Sequence, residues 1–444
     1  MKSFRFVMPA LALAATLLLT AAPVFAATGA VEWVHDDYAK AVRIARERKV
    51  PLFVDIWAPW CHTCRSMWAY VLNEPSLSRH AGQFVFLSVD TEKPANASFR
   101  GRFPADALPS FYVMDPVAER ISVRWVGGMT IAQLHALLDD AAIGGRAPRA
   151  LVRSIARADS LYADNQHAAA AAAFGEVLAT APEGWPGYSR AVESRMYALS
   201  RSDGWAEGVA LARAALPRLG RSPSALVVAS SALACARELP AGDTGKAGAV
   251  AEFEAATRSL VSDFSFSTAA DDRSGAWIEI LTTRQEAGDS VGARASARAW
   301  SEFLDAEAAK AGSPEQRAVF DPHRLSAYLE LGEADRAVPM LQQSERDLPG
   351  DYNPSQRLAT AYKALRKWDE ALAASDRAMA LAYGPRKMLL YTTRADIFAG
   401  KQDLAAERRT VEEGIAFGQA LPESQRPARA LEAMRKRLEK LATP

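Results

Sequence analysis

The pattern of apolar and polar positions changes character once, near residue 144. Before that point, apolar runs of strand length alternate with helical stretches. Leu52–Trp57 and the run 84–90 (FVFLSVD) are largely apolar and predict two buried strands. Phe111–Met114 and Ile121–Trp125 predict two more. Ala41, Val42, Ile44 and Ala45 fall on one side of a helix Tyr38–Arg48, with Asp36-Asp37 placed to cap it. A second helix runs from about Trp60 to Leu72, is broken by Asn73-Glu74-Pro75, and is followed by a short helical piece. The polar stretch 91–106, with Pro94 and Pro104, predicts a loop holding at most a helical turn, and Thr130 caps a last helix, Ile131–Asp140. Residues 27–35 read as a short lead-in.

Gly144-Gly145-Arg146-Ala147-Pro148 has the composition of a linker, placed at 144–150. Beyond it strand-like alternation ceases and Ala-rich helical periodicity continues to the end. Gly332, Arg366 and Gly400 recur every 34 residues; so do Asp335, Asp369 and Asp403, then Ala337, Ala371 and Ala405, then Ala327, Ala361 and Ala395. This period, with small residues at helix crossings, resembles the tetratricopeptide repeat, whose helix pairs bury their apolar faces only by stacking on one another. Asn165-Gln166-His167-Ala168, Asp203-Gly204-Trp205 and Gly288-Asp289 look like the same inter-helix turn at irregular spacing. The segment 427–441 reads as a charged closing cap.

The N-terminus changes the picture of where the protein works. Lys2 and Arg5, the apolar run 7–19 and Val24-Phe25-Ala26 have the order of a cleavable signal peptide, residues 1–26. The apolar run is short for a membrane span of about 20 residues. The expectation is therefore a periplasmic protein with no membrane span after cleavage; the alternative is a membrane anchor formed by an uncleaved signal. Of 53 Lys and Arg against 52 Asp and Glu, removal of 1–26 leaves 51 − 52 = −1. A near-neutral chain without a basic block gives no reason to expect a nucleic-acid partner. Three cysteines do not make a disulfide scaffold.

Two of them carry the candidate chemistry. Cys61 and Cys64 sit where the strand Phe53–Trp57 turns into the helix. There the unpaired backbone N–H groups and the positive end of the helix dipole favour a Cys61 thiolate. Cys64, one turn further in, is close enough to form a disulfide with it. A Cys-x-x-Cys pair in this setting is a redox motif. A structural disulfide, a metal clip or a two-thiolate Cu(I) site are the competing readings; zinc would need two further ligands at set spacing.

The segment Val54-Asp55-Ile56-Trp57-Ala58-Pro59-Trp60-Cys61-His62-Thr63-Cys64 resembles the active-site segment of the thioredoxin superfamily. With the upstream segment Trp33–Val50, an amphipathic helix ending in a basic stretch, it is similar to the periplasmic branch that includes the C-terminal domain of the DsbD reductase. The resemblance implies an α/β thioredoxin-like domain at 27–143, a central mixed sheet flanked by helices, followed by an all-α tetratricopeptide-repeat-like solenoid at 151–444. It implies a buried acid at Asp55 that takes the Cys64 proton, a tryptophan before the nucleophile at Trp60, and a cis-proline at Pro109 beside the disulfide. His62-Thr63 departs from the Gly-Pro of thioredoxin itself and leaves the direction of electron flow open. His62 either tunes the Cys61 thiolate or is an exposed bystander.

The expected activity is thiol–disulfide exchange with a client protein. Catalysis falls to Cys61, Cys64 and Asp55, and client contact to Trp60, His62 and Pro109. No cofactor or metal is needed beyond the pair. A reductase also needs an electron-donating partner, and a membrane reductase is the one expected. The competing function is an assembly or adaptor protein in which the repeats do the work and the first domain docks. Cys235, in the apolar run 225–237, reads as a buried, inert cysteine, and His35, His80, His135, His167 and His323 show no metal-ligand spacing.

Overall fold

The computed structural model describes residues 31–105, 107–142 and 149–442; the expected signal peptide and residues 144–148 of the expected linker lie outside these. The first part is a mixed sheet in the order β1-β3-β2-β4-β5, built of β1 (Trp33–His35), β2 (Leu52–Trp57), β3 (Val85–Asp90), β4 (Ser110–Asp115) and β5 (Arg120–Val126). β1, β3 and β2 run parallel, while β4 and β5 are antiparallel to their neighbours. α1 (Tyr38–Arg48), α2 (His62–Tyr70), α3 (Ala97–Arg102) and α4 (Ile131–Ala142) cover it. Period-2 alternation divides β2 between two cores. Phe53 packs with α2 and α4, whereas Leu52, Val54 and Ile56 pack with α1 and α3.

Two segments differ from the sequence expectation. Residues 33–35 form an edge strand rather than a lead-in. Trp33 explains it, because its ring packs at 5.3 Å from Phe86 and 4.8 Å from Trp68, which draws the backbone onto β3. The stretch expected as a loop contains α3, whose Phe99 stacks against Tyr38 and Phe103. Asp37 caps α1 by accepting from the Lys40 N–H, as expected.

The second part is a series of antiparallel helices. They are α5 (Arg149–Ala163), α6 (His167–Thr180), α7 (Tyr188–Ser200), α8 (Trp205–Leu219), α9 (Pro223–Glu238), α10 (Lys246–Val261), α11 (Ala270–Glu286) and α12 (Ser290–Ala309). After these come α13 (Pro314–Ala318), α14 (Asp321–Leu331), α15 (Ala337–Asp347), α16 (Tyr352–Ala364), α17 (Trp368–Leu381), α18 (Lys387–Gly400), α19 (Leu404–Ala420) and α20 (Ala428–Ala442). A residue in the left-handed region turns the chain between the helices of most pairs: Asn165, Asp203, Gly288, Gly332, Arg366 and Gln402. The turns recognised in the sequence at Asn165, Asp203 and Gly288 are therefore the same device as the regular ones.

The 34-residue period holds from Gly332 to Arg366 and then slips. The next left-handed turn is Gln402, not Gly400, and Ala405 is exposed while Ala406 takes the buried place. Gly400 instead lies against the Trp368 indole, where a Cβ would collide. Ala327, Ala361 and Ala395 are all fully buried. The core runs along the array as successive clusters, as expected where each helix pair packs only on its neighbours.

The array is folded around the sheet domain. Its first helix, α5, packs on the outer strand β5, with the Arg124 guanidinium 3.8 Å from the Tyr162 ring centre. Its far end returns to the loop after β3, where the Gln425 side-chain amide donates to the Thr91 and Lys93 carbonyls, both at 2.9 Å.

Candidate active site

β2 delivers the chain to the motif. Cys61 is the N-cap of α2, with extended backbone, and its sulfur accepts the Cys64 N–H at 3.1 Å. A group at this position faces the orphan donors of the first helical turn, which is where negative charge is stabilised. The Cys61 and Cys64 sulfurs stand at disulfide distance, 2.05 Å. They pack among Ala58, Trp57, Trp60 and Leu108.

Asp55 lies on β2 two residues before Trp57, buried on the face toward α2. The Trp68 indole of α2 donates to its Oδ2 at 2.9 Å, and Oδ1 has no partner among the described residues. Burial pushes its carboxyl up to about 8, only partly opposed by the Trp68 bond. Pro109 is buried, its bond to Leu108 is cis, and its carbonyl accepts from Gly127 N–H at 2.9 Å. Cys235 is fully buried in α9, against Gly208, and burial pushes its thiol up to about 11.

The helical array closes over this motif. Cys61 is 4 % exposed and Cys64 0 %. The residues around the cysteines are each held from the other domain. His62 bonds through Nδ1 to Asp271 Oδ1 on α11 at 2.7 Å, and Thr63 Oγ1 donates to Asp271 Oδ2 at 2.5 Å. Arg65, just after Cys64, pairs with Asp351. Asn353, at the start of α16, donates to the Pro59 carbonyl at 3.0 Å. Trp60 donates through Nε1 to Glu92 at 2.8 Å and carries the Arg386 guanidinium 4.6 Å from its ring centre. Glu92 in turn accepts the Arg386 N–H at 2.6 Å, and Tyr383 Oη donates to Asp90 at 2.6 Å. Gly384 makes this approach feasible: its φ is +67°, and a Cβ there would collide with Glu92.

The electrostatics follow from this packing. Burial opposes ionisation of Asp271, but His62, His323 and Thr63 outweigh it and hold the carboxyl down at about 2. Its neighbour Asp272 moves the other way, to about 7, through burial and the adjacent charge. His323 on α14 lies with its ring 3.9 Å from that of His62; burial, then His62, lowers it to about 3. His62, Asp271 and His323 bring their ligand-capable atoms within 4.8 Å of one another.

Residues 32–116 match the family model described as thioredoxin-like. This segment is a thioredoxin-like domain. The neighbours of the helical region among solved structures are tetratricopeptide repeat proteins. One is from Parabacteroides merdae ATCC 43184, at 10 % identity over 66 % of this chain and 99 % of that one, TM-score 0.41. Another is the TPR2AB domain of yeast Sti1 in its complex with pHSP90, at 11 % identity over 66 % and 99 %, TM-score 0.24. The repeat architecture rests on the helix pairs described above rather than on these likenesses. No curated protein matches the chain in sequence.

Of the residues singled out in the sequence, the structure gathers Asp55, Trp60, Cys61, His62, Cys64 and Pro109 in the thioredoxin-like domain at or next to the motif. It gives Trp60 and His62 partners in the array. Asp271, Glu92, Asp351 and Arg386 escaped notice, and His323, read in the sequence as lacking metal-ligand spacing, stands beside His62 and Asp271. Asp271 and His323 lie 209 and 261 positions beyond His62, and only the closing of the array over α2 brings them to the thioredoxin-like domain.

Proposed function

We propose that this chain is an exported thiol–disulfide oxidoreductase that reduces protein disulfides through Cys61 and Cys64. The observation that carries the reading is Cys61 as N-cap of α2, its sulfur on the Cys64 N–H, with a buried Asp55 raised to about 8 on the strand below. In the reduced protein the Cys61 thiolate attacks one client sulfur. The client disulfide breaks, a mixed disulfide forms, and the departing client sulfur takes a proton. Cys64 gives its proton to ionised Asp55 and attacks the Cys61 sulfur. That closes Cys61–Cys64, releases the second client thiol, and passes two electrons to the client. An electron-donating thiol partner, a membrane reductase in this reading, then restores the dithiol. The domain division is taken as 27–143 and 151–444 with a linker at 144–150, whose last two residues, Arg149 and Ala150, already belong to α5, the leader 1–26 as cleaved, and the working compartment as the periplasm. Among the described residues no helix is long and apolar enough to cross a membrane.

The array governs access in this reading. A client reaches Cys61 only when the contacts at His62, Arg65 and Trp60 open, after which Trp60, His62 and the strand after Pro109 are free to hold it. The test is transfer of reducing equivalents from pre-reduced protein to a disulfide-linked peptide. One disulfide reduced per chain, abolished by Cys61→Ser, supports the reading; no transfer by the wild type overturns it. A titration of the pair against glutathione settles direction: near about −270 mV it is a reductant, near about −120 mV an oxidant.

The cover over the motif favours one second reading, an assembly protein in which the array is the working surface and the first domain is its docking module. Partner capture that survives Cys61→Ser is its signature.

A further inference from the structure

His62, Asp271 and His323 come from three helices of two domains, α2, α11 and α14, and meet beside the cysteine motif. Two imidazoles and one carboxylate are a donor set suited to a divalent first-row transition ion such as Zn²⁺, with a position left open for water or another ligand. Their ligand-capable atoms lie within 4.8 Å of one another, close enough to converge on one ion after small side-chain shifts.

The two buried candidate ligands are also held through another atom, as metal ligands are. His323 Nδ1 shares a hydrogen bond with Ser274 Oγ at 2.6 Å, and Ser274 is fixed by the Trp300 indole at 2.7 Å. This leaves the other ring nitrogen of His323 available. Asp271 is oriented through Oδ2 by Thr63. Asp271 and His323 are buried, whereas the His62 side chain is 33 % exposed and gives an ion a way in.

We propose that His62, Asp271 and His323 form a divalent transition-metal site that clamps the helical array onto the redox helix. The ion takes the place of the proton His62 and Asp271 share. Because His62 stands between the two cysteines, the loaded site holds the cover shut over Cys61.

The test uses Zn²⁺ and untagged, oxidised protein in a calorimetric titration, so the outcome does not depend on the redox reading. One Zn²⁺ per chain is expected. Affinity should fall at least about tenfold in D271N and in H323Q. His135→Gln, which alters the separate pair of buried His80 and half-buried His135, should leave it unchanged. Should the buried variants fail to fold, H62Q alters a partly exposed residue and must weaken binding alike. Visible absorption of a Co²⁺-loaded sample should disappear with it. Cys61→Ser should bind Zn²⁺ normally while losing disulfide transfer, which separates the two readings. Absence of binding by the wild type, binding indifferent to D271N, H323Q and H62Q, or binding lost only in the His135 variant overturns the proposal.

Discussion

Asp271 reaches from α11 to the imidazole of His62 at 2.7 Å, so the first residue between the two cysteines is held by the other domain. Its second oxygen takes Thr63, the other residue between them. The dipeptide that distinguishes this motif is thus the part of the motif that the array grips.

Asp271→Asn should loosen that grip. Hydrogen bonds to charged groups contribute about 1.5–3 kcal/mol, so losing one shifts an opening equilibrium by at least about tenfold. The alkylation rate of Cys61 by iodoacetamide in the reduced variant should rise by a similar factor. An unchanged rate would mean that the cover is not gated at this point.

Asp55 makes stability depend on pH. Its folded-state value of about 8 lies above the ordinary 3.8. Between those values the folded protein keeps a proton that the unfolded chain releases, so this group's contribution is fully present below about pH 4 and is lost as pH rises through about 8. Asp55→Asn removes that slope. The advantage of the variant over wild type in urea midpoint, measured on oxidised protein, should grow from pH 5 to pH 8. The same substitution should slow the second exchange step and accumulate the mixed disulfide.

Gly384→Ala places a Cβ at positive φ against Glu92. Strain of this kind costs about 1–2 kcal/mol before the collision is counted. The loop between α17 and α18 should lift from Trp60, lowering the thermal midpoint by a few degrees and speeding Cys61 alkylation. A midpoint equal to wild type would show that this loop carries no part of the closure.

The slip in the repeat has its own test. Ala361→Leu overpacks a fully buried crossing and should destabilise by about 1–3 kcal/mol. Ala405→Leu, in line with the 34-residue period but exposed, should change the denaturation midpoint little. Equal effects at both positions would restore the simple period.

What was legible in the sequence was what local pattern controls. The run Leu52–Trp57 is the observed β2 to the residue, because a strand buried on both faces is nearly all apolar, here with Asp55 as the one exception. Cys61 at the start of α2 follows from the strand-to-helix turn. β1 was missed because three residues carry no period; their structure is set by Trp33 finding Phe86 across the fold. The regular turns at Gly332 and Arg366 were visible, whereas Gln402 was not, since a left-handed glutamine has no signature in sequence. The partners of the motif were hidden for a simpler reason. Asp271, one of two adjacent aspartates at the start of α11, acquires meaning only when the array curls back over α2.

The return of the chain at Gln425 to Thr91 and Lys93 sets an order of events during synthesis. The sheet and both cysteines are complete by residue 142, long before the last helices exist. Domains made first tend to fold first, so there is an interval in which the pair stands uncovered and open to oxidation by whatever the chain meets. The shelter forms only once α11, the start of α16 and the loop before α18 have been made and have packed on the motif. A disulfide closed in that interval is then sheltered by the packed array, and in the proposed reading the contacts at His62, Arg65 and Trp60 must part before it is reduced again.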